Sequence, residues 1–278
     1  MDHKIAVVVL GCASAPYDEM VDAMRTTWGA VETPGVEVSY VYGNPSDSDA
    51  LQVLAQLVGD DTAPVVPDGE LERRGDILIA GCADLIRDQE DSLLRKRLLA
   101  FEHLLDDPTV RQIYTVCAAS YVVQPTLVEA TAGLRSERLF YGPISFAQQS
   151  GTPFISGSSM LLSRDLAERL VDDKVRIIEQ NRFGWRDDVT FGHWVATQYC
   201  DLPLDELIEV AYDGTAGSPE RVFAGGSRQT ADFVMVPIDE HTLRDGVYHY
   251  HVHSRRPEAI RHLHELWLAQ QATGSAAP

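Results

Sequence analysis

The chain has 278 residues, 45% of them hydrophobic, and a formal net charge of -19. That is enough apolar material for a substantial core, in one large α/β domain or two small ones. The negative field (pI ≈ 4.7) argues against a phosphate-tracking groove for nucleic acid and against binding to anionic membrane surfaces.

The N-terminal "MDHKIAVVVLGCASAP" reads as a first strand, Ile5–Leu10, because its apolar run is too short and its lead too weakly charged for a secretory or lipoprotein leader ending at Cys12. "SAPYDEMVDAMRTTWG" follows as a helix, with Pro16 at its start, Tyr17, Met20 and Met24 on one face, and Gly29 at its end. "VEVSYVYGN" and "GDILIAGCAD" are the next strands. "EDSLLRKRLLAFEHLLDD" is an amphipathic helix whose apolar side is Leu93, Leu94, Leu98, Phe101, Leu104 and Leu105. "RQIYTVCAAS" starts as a central strand and ends on small, uncharged residues. A strand-turn-helix over "SYVVQPTLVEATAGL" comes next, and then "GTPFISGSSMLLSRDLAERLVDD" as loop, strand and helix, with Ser163 as the candidate N-cap. "NRFGWRDDVTFGHWVATQY" places Asp187 and Asp188 in the first turn of a helix. The last third is irregular up to "YHYHVHS", an alternating strand, and the helix "RPEAIRHLHELWLAQQ".

Strands alternating with helices predict an α/β fold with a mixed sheet flanked by helices. Cys12, Cys82, Cys117 and Cys200 are scattered without a CxxC, so they read as reduced, mostly buried thiols of a cytoplasmic protein. No stretch approaches the roughly 20 apolar residues of a membrane span. GxGxxG after the first strand, GxxxxGK[ST], GxSxG and HExxH are all missing from the sequence.

Five segments in order carry a resemblance: "MRTTW" (Met24–Trp28), "LLRKRLLAFEHLL", "PFISGSSMLLSRDLAERL", "RDDVTFGHWV" and "YHYHVHS". Together they resemble the fringe-like and β-1,3-galactosyltransferase family of glycosyltransferases, over about three quarters of the chain. The resemblance implies a GT-A-like, Rossmann-like single domain over residues 1–272. Residues 1–125 would be the nucleotide-binding half and residues 126–272 the donor-sugar and acceptor half, with a disordered tail at 273–278. It also implies an inverting hexosyltransferase with a nucleotide-sugar donor, a UDP-sugar on family grounds, and a small-molecule or glycan acceptor.

Residue by residue, the resemblance makes Asp188 the general base. It places Arg25, Lys96, Ser156, Gly157, Ser158, Asp187 and His249 around the donor. The family's acidic T-D-D-D-V-F-V stretch, which holds Mn²⁺ on the diphosphate, falls on Val116-Cys117-Ala118-Ala119-Ser120-Tyr121-Val122. Every carboxylate is gone from that slot, and Cys117, Ala118, Ala119 and Ser120 line it instead. A lone thiol suits a soft metal, not a hard cation. The expectation is therefore activity without a metal cofactor, although Mn²⁺ or Mg²⁺ through His249 stays open.

Each assignment has a plainer alternative. Asp187 and Asp188 also favour a helix N-terminus. Lys96, within "RKR", also reads as an exposed helix cation. Tyr121 and Trp28 read as core, and Trp185 as core or as a flank for an acceptor sugar. His249, His251 and His253 share one face of a strand, which suits a transition-metal cluster or an ordinary half-exposed strand. A degenerate, non-catalytic sugar, nucleotide or protein binder is the second functional reading. A metal-dependent hydrolase on the three-histidine strand is the third.

Overall fold

The computed structural model describes residues 3–84, 91–147, 152–181, 187–198, 211–212, 221–225, 232–233, 235–238, 242–243, 246–252 and 256–273. A seven-stranded mixed sheet forms the centre, in the order β3-β4-β2-β1-β5-β10-β7. These strands are β1 (Lys4–Leu10), β2 (Val36–Asn44), β3 (Leu71–Arg74), β4 (Ile77–Ala83), β5 (Val110–Cys117), β7 (Phe140–Tyr141) and β10 (Ser159–Ser163). Strands β4, β2, β1 and β5 run parallel, while β3, β10 and β7 are antiparallel to their neighbours. The predicted third strand, "GDILIAGCAD", is thus β4, preceded by a short edge partner, β3.

Alternation along the parallel strands sends side chains to both faces, and helices cover both, which is why these strands read as continuous apolar runs. On one face Val7, Val9, Tyr42, Tyr114 and Val116 pack against α1 (Tyr17–Thr26), α2 (Ser48–Val58), α4 (Gln124–Thr131) and α8 (Pro257–Thr273). On the other, Ala6, Val8, Leu10, Ile113 and Leu162 pack against α3 (Ser92–Leu105), α5 (Arg164–Asp172), α6 (Lys174–Gln180) and α7 (Asp187–Gln198).

Local differences from the sequence reading have physical reasons. Ser163 does occupy the N-cap position of α5, but its hydroxyl accepts from the Leu139 N–H at 2.9 Å and leaves the helix uncapped by its side chain. Gly29 lies beyond the end of α1, in a short 3-10 turn, Trp28–Ala30, where a Cβ would stand 1.9 Å from the Tyr40 hydroxyl. Close approach requires that glycine. Trp28 and Tyr121 are core residues.

Beyond the carboxyl end of β5 the chain turns through Ala118 and Ala119 into β6 (Ser120–Val122). This short strand belongs to a four-stranded sheet in the order β14-β12-β15-β6, with β12 (Arg221–Gly225), β14 (Met235–Pro237) and β15 (His249–His251). The predicted "YHYHVHS" strand is β15. Pairing of His249 with Val122 and of His251 with Ser120 brings the histidines to the end of the central strand.

Candidate functional site at the carboxyl end of the central strands

The ends of β1, β2 and β4 are tied together by one buried ion pair. Asp84, just after β4, accepts from the backbone N–H of Ala13 at 2.6 Å and of Gly43 at 2.8 Å. Lys96 of α3 donates to Asp84 at 2.5 Å and to the Gly11 carbonyl at 3.0 Å. Its side chain is 0% exposed. Lys96 is therefore not the exposed helix cation, and its ammonium binds the strand ends. Asp84 is absent from the sequence reading. Its only signal was an acidic residue closing an apolar strand.

The neighbouring residue, Arg97, organises the other half of the site. It is 2% exposed, its Nη1 lies 3.0 Å from the Asp187 carboxylate, and its Nη2 donates to the Gly157 carbonyl at 2.9 Å. The Gly157 N–H in turn donates to Asp188 Oδ2 at 2.9 Å, and Val189 N–H donates to Asp188 Oδ1 at 2.9 Å. Burial pushes the Asp188 carboxyl up, and the adjacent Asp187 charge adds to this. Hydrogen bonds from Gly157 and Val189 and the Arg97 charge oppose it, leaving the group at about 6. The two aspartates thus differ in role: Asp187 is the counterion of Arg97, and Asp188, its carboxyl raised by burial, is held by backbone N–H groups.

The glycine in this cluster is required by space. A methyl at Gly157 would stand 2.9 Å from Arg97 Nη2 and 3.4 Å from Asp188 Oδ2. Because Arg97 is buried, it has nowhere to retreat. Gly157→Ala is expected to destabilise the protein by about 1–3 kcal/mol through overpacking, read as a lower thermal midpoint. An unchanged midpoint would mean that the Arg97 contact is dispensable.

A second polar chain enters from the β5 side. The Tyr114 hydroxyl bridges Ser159 Oγ and His249 Nδ1, at 2.8 Å each. His249 is 1% exposed and its Nε2 has no hydrogen-bond partner among the described residues. Burial, together with the charge of His251, holds its imidazole down at about 3, so it is neutral at physiological pH. At the end of β5, Cys117 Sγ lies 3.5 Å from His251 Nδ1 and 3.6 Å from Ser120 Oγ. Burial raises the Cys117 thiol, but the charge and hydrogen bond of His251, with hydrogen bonds from Ser120 and the Ala119 backbone, bring it down to about 7. Ser120 Oγ reaches the Ser158 carbonyl at 3.4 Å, and Ser156 Oγ and Ser158 Oγ are 3.1 Å apart. The Ser156–Ser158 turn is therefore held by Arg97 and Asp188 on one side and by Ser120 on the other.

These donors do not suit a hard divalent cation. Ala118 and Ala119 are buried and offer only backbone. No group of three or more His, Cys, Asp or Glu among the described residues is arranged to hold a metal ion. His249 already gives Nδ1 to Tyr114.

Most of the sequence-derived site thus comes together: Cys117, Ala118, Ala119, Ser120, Ser156, Gly157, Ser158, Asp187, Asp188 and His249. Arg25 does not join them. It sits in the last turn of α1, which packs on the sheet face opposite α3, where it makes a bidentate pair with Asp76 at 2.8 and 3.0 Å and lies over the Tyr40 ring. Trp185, His253 and Cys200 lie outside the described residues. Arg97 and Tyr114 were missed as site residues, and His251 was weighed only as one of three histidines on a strand. Arg97 lay inside an apolar helix pattern, and Tyr114 within a strand that read as plain core.

No known family profile matches the chain, and no curated protein matches it in sequence. Among solved structures, the chain is similar to a glycosyltransferase involved in the glycosylation of the major capsid of PBCV-1. That likeness has a TM-score of 0.34 and 8% identity, and covers 72% of this chain and 79% of that one. It is also similar to the galactosyltransferase LgtC in complex with donor and acceptor sugar analogs, with a TM-score of 0.38, 12% identity, and coverage of 68% and 70%. Both likenesses are remote, so the functional reading rests on the residues of the site. No helix among the described residues is long and apolar enough to cross a membrane.

Proposed function

We propose that the protein is a glycosyltransferase of the fringe-like kind, which moves a hexose from a UDP-sugar to an acceptor hydroxyl with inversion and without a metal. The observation that carries this reading is the placement of Asp188 at the edge of the Gly157 turn, held there by the Gly157 and Val189 N–H groups, with burial raising its carboxyl above the usual range. A general base works best with a pKa near the operating pH. In the proposed step Asp188 takes the hydroxyl proton as the acceptor oxygen bonds to the anomeric carbon. The bond from that carbon to the diphosphate oxygen breaks, and the nucleoside diphosphate leaves with the electron pair.

The leaving group's charge needs partners. Lys96 and Arg25 are committed to Asp84 and Asp76, and His249 is neutral. In the tautomer in which the Tyr114 hydroxyl donates to Nδ1, His249 carries its hydrogen on the buried, unpartnered Nε2, which would be the neutral N–H donor to a phosphate oxygen seated against it. Nucleotide release from a UDP-sugar is accordingly expected to continue at the same rate in chelator. A strict Mn²⁺ requirement that survives His249→Ala would contradict this mechanism.

One observation favours a second reading. Both oxygens of Asp188 accept backbone N–H groups, as a purely structural clamp would. In that case the protein is a non-catalytic binder of a sugar, a nucleotide or a protein. Incubation with a panel of nucleotide sugars separates the two: slow release of free nucleotide supports the transferase, and binding without release supports the binder.

A further inference from the structure

Three cysteines fall within the described residues, and their surroundings differ sharply. Cys12 is buried against the Asp84 carbonyl at 3.1 Å, and Cys82 is buried with its sulfur 3.8 Å from the Ser92 carbonyl. Burial pushes both thiols up. Cys117 is only half-buried, and it has an imidazole nitrogen at 3.5 Å and a hydroxyl at 3.6 Å. A thiol with an imidazole base within hydrogen-bond reach is the arrangement that activates it. The transfer reaction proposed above makes no use of it.

We propose that Cys117 and His251 form a reactive thiol–imidazole pair that takes low-molecular-weight disulfides, and that a mixed disulfide at Cys117 blocks the Ser156–Ser158 turn. In the forward step the Cys117 proton passes to His251 Nδ1 and the sulfur attacks one sulfur of the disulfide. The old S–S bond breaks as the new one forms, and the departing thiolate takes the proton from the imidazolium. Electrons balance within the exchange: the incoming disulfide is reduced by one thiol equivalent and Cys117 is oxidised by the same. An excess of free thiol reverses it.

The location gives the modification its consequence. Cys117 Sγ contacts Ser120, and Ser120 contacts the carbonyl of Ser158 in the turn that holds Asp188 through Gly157. A thiol-sized adduct on Cys117 crowds that turn and the space before it. This blocking effect rests on the nucleotide-sugar reading, whereas the reactivity of the pair does not.

The test is to incubate the native full chain with glutathione disulfide, map adducts by peptide mass, and measure UDP binding before and after. The expected result is an adduct at Cys117 that forms at least about tenfold faster than at Cys12 or Cys82. His251→Gln should slow it by about the same factor with the thermal midpoint kept, and Cys117→Ser should abolish it. UDP binding should be lost in the adduct and restored by reduction. Equal rates at the three cysteines, which needs no variant to observe, would overturn the proposal, as would an unchanged rate in His251→Gln. Retained UDP binding in the adduct would overturn the blocking effect. If the unmodified protein binds no UDP, the proposed function fails on that result, and the adduct rates alone decide the thiol pair.

Discussion

Replacing Asp188 by Asn is expected to lower the turnover of a nucleotide sugar by about 10²–10⁴-fold, the usual contribution of a positioned base. The amide keeps one acceptor oxygen and turns an N–H₂ group toward the other backbone donor, Gly157 or Val189. That donor facing a donor costs about 1–3 kcal/mol, so turnover is compared below the lowered thermal midpoint, where the variant is folded and the loss is read as chemistry. The wild-type rate should fall as pH drops through about 6, because the base must be ionised and its carboxyl is raised to that value. Stability moves the other way. The folded carboxyl holds its proton to higher pH than the unfolded one, so its neutral form favours folding and that contribution is lost as pH rises from the unfolded pKa of about 4 toward 6. Asp188→Asn should flatten that part of the stability profile. A pH–rate profile with no limb near 6, or an Asn variant with wild-type turnover, would remove Asp188 from the chemistry.

The other large effect concerns Lys96. Lys96→Met leaves Asp84 buried and short of its counterion, with the ends of β1, β2 and β4 hanging on it. Breaking one side of such a pair costs about 3–5 kcal/mol, so a strong drop in the denaturation midpoint is expected. Removing both charges in Lys96→Met with Asp84→Asn should recover part of it, because no unpaired charge is left behind. A Lys96→Met protein of normal stability that fails to bind nucleotide would instead restore Lys96 to the donor site.

The strands of the sheet were plain in the sequence because burial on both faces leaves long apolar runs, with polar residues confined to Lys4 at the start of β1 and to Arg111, Gln112 and the buried Thr115 in β5. Helix α3 was legible as a helix, but not the fact that Lys96 and Arg97 lie inside it. Periodicity marks charged positions as outward, and their partners, Asp84, Asp187 and Gly157, come from other parts of the chain. Helix α2 went unread although it carries ordinary signals: Asp47 accepts the Ala50 N–H at 2.8 Å at its start, and Gly59 ends it with φ 76°. Turn-forming residues on both sides masked them.

The site was legible in a particular way. The resemblance singled out Asp187, Asp188, the Ser156–Ser158 turn and the uncharged end of β5, and these meet in space. It failed for Arg25, whose guanidinium is held by Asp76 and the Tyr40 ring, and order along the chain did not announce those partners. The empty-looking Cys117-Ala118-Ala119-Ser120 stretch gained its chemistry only through β15, whose His251 arrives from the far end of the chain. No local pattern could announce that pairing.

The most direct test of the account is nucleotide release from a panel of UDP-sugars with an acceptor mixture in the presence of chelator, run side by side on the wild-type protein and Asp188→Asn. The account predicts release by the wild type, undiminished by chelator, and a loss of about two orders of magnitude or more in the variant. Release that vanishes in chelator, or that is the same in both proteins, would contradict it.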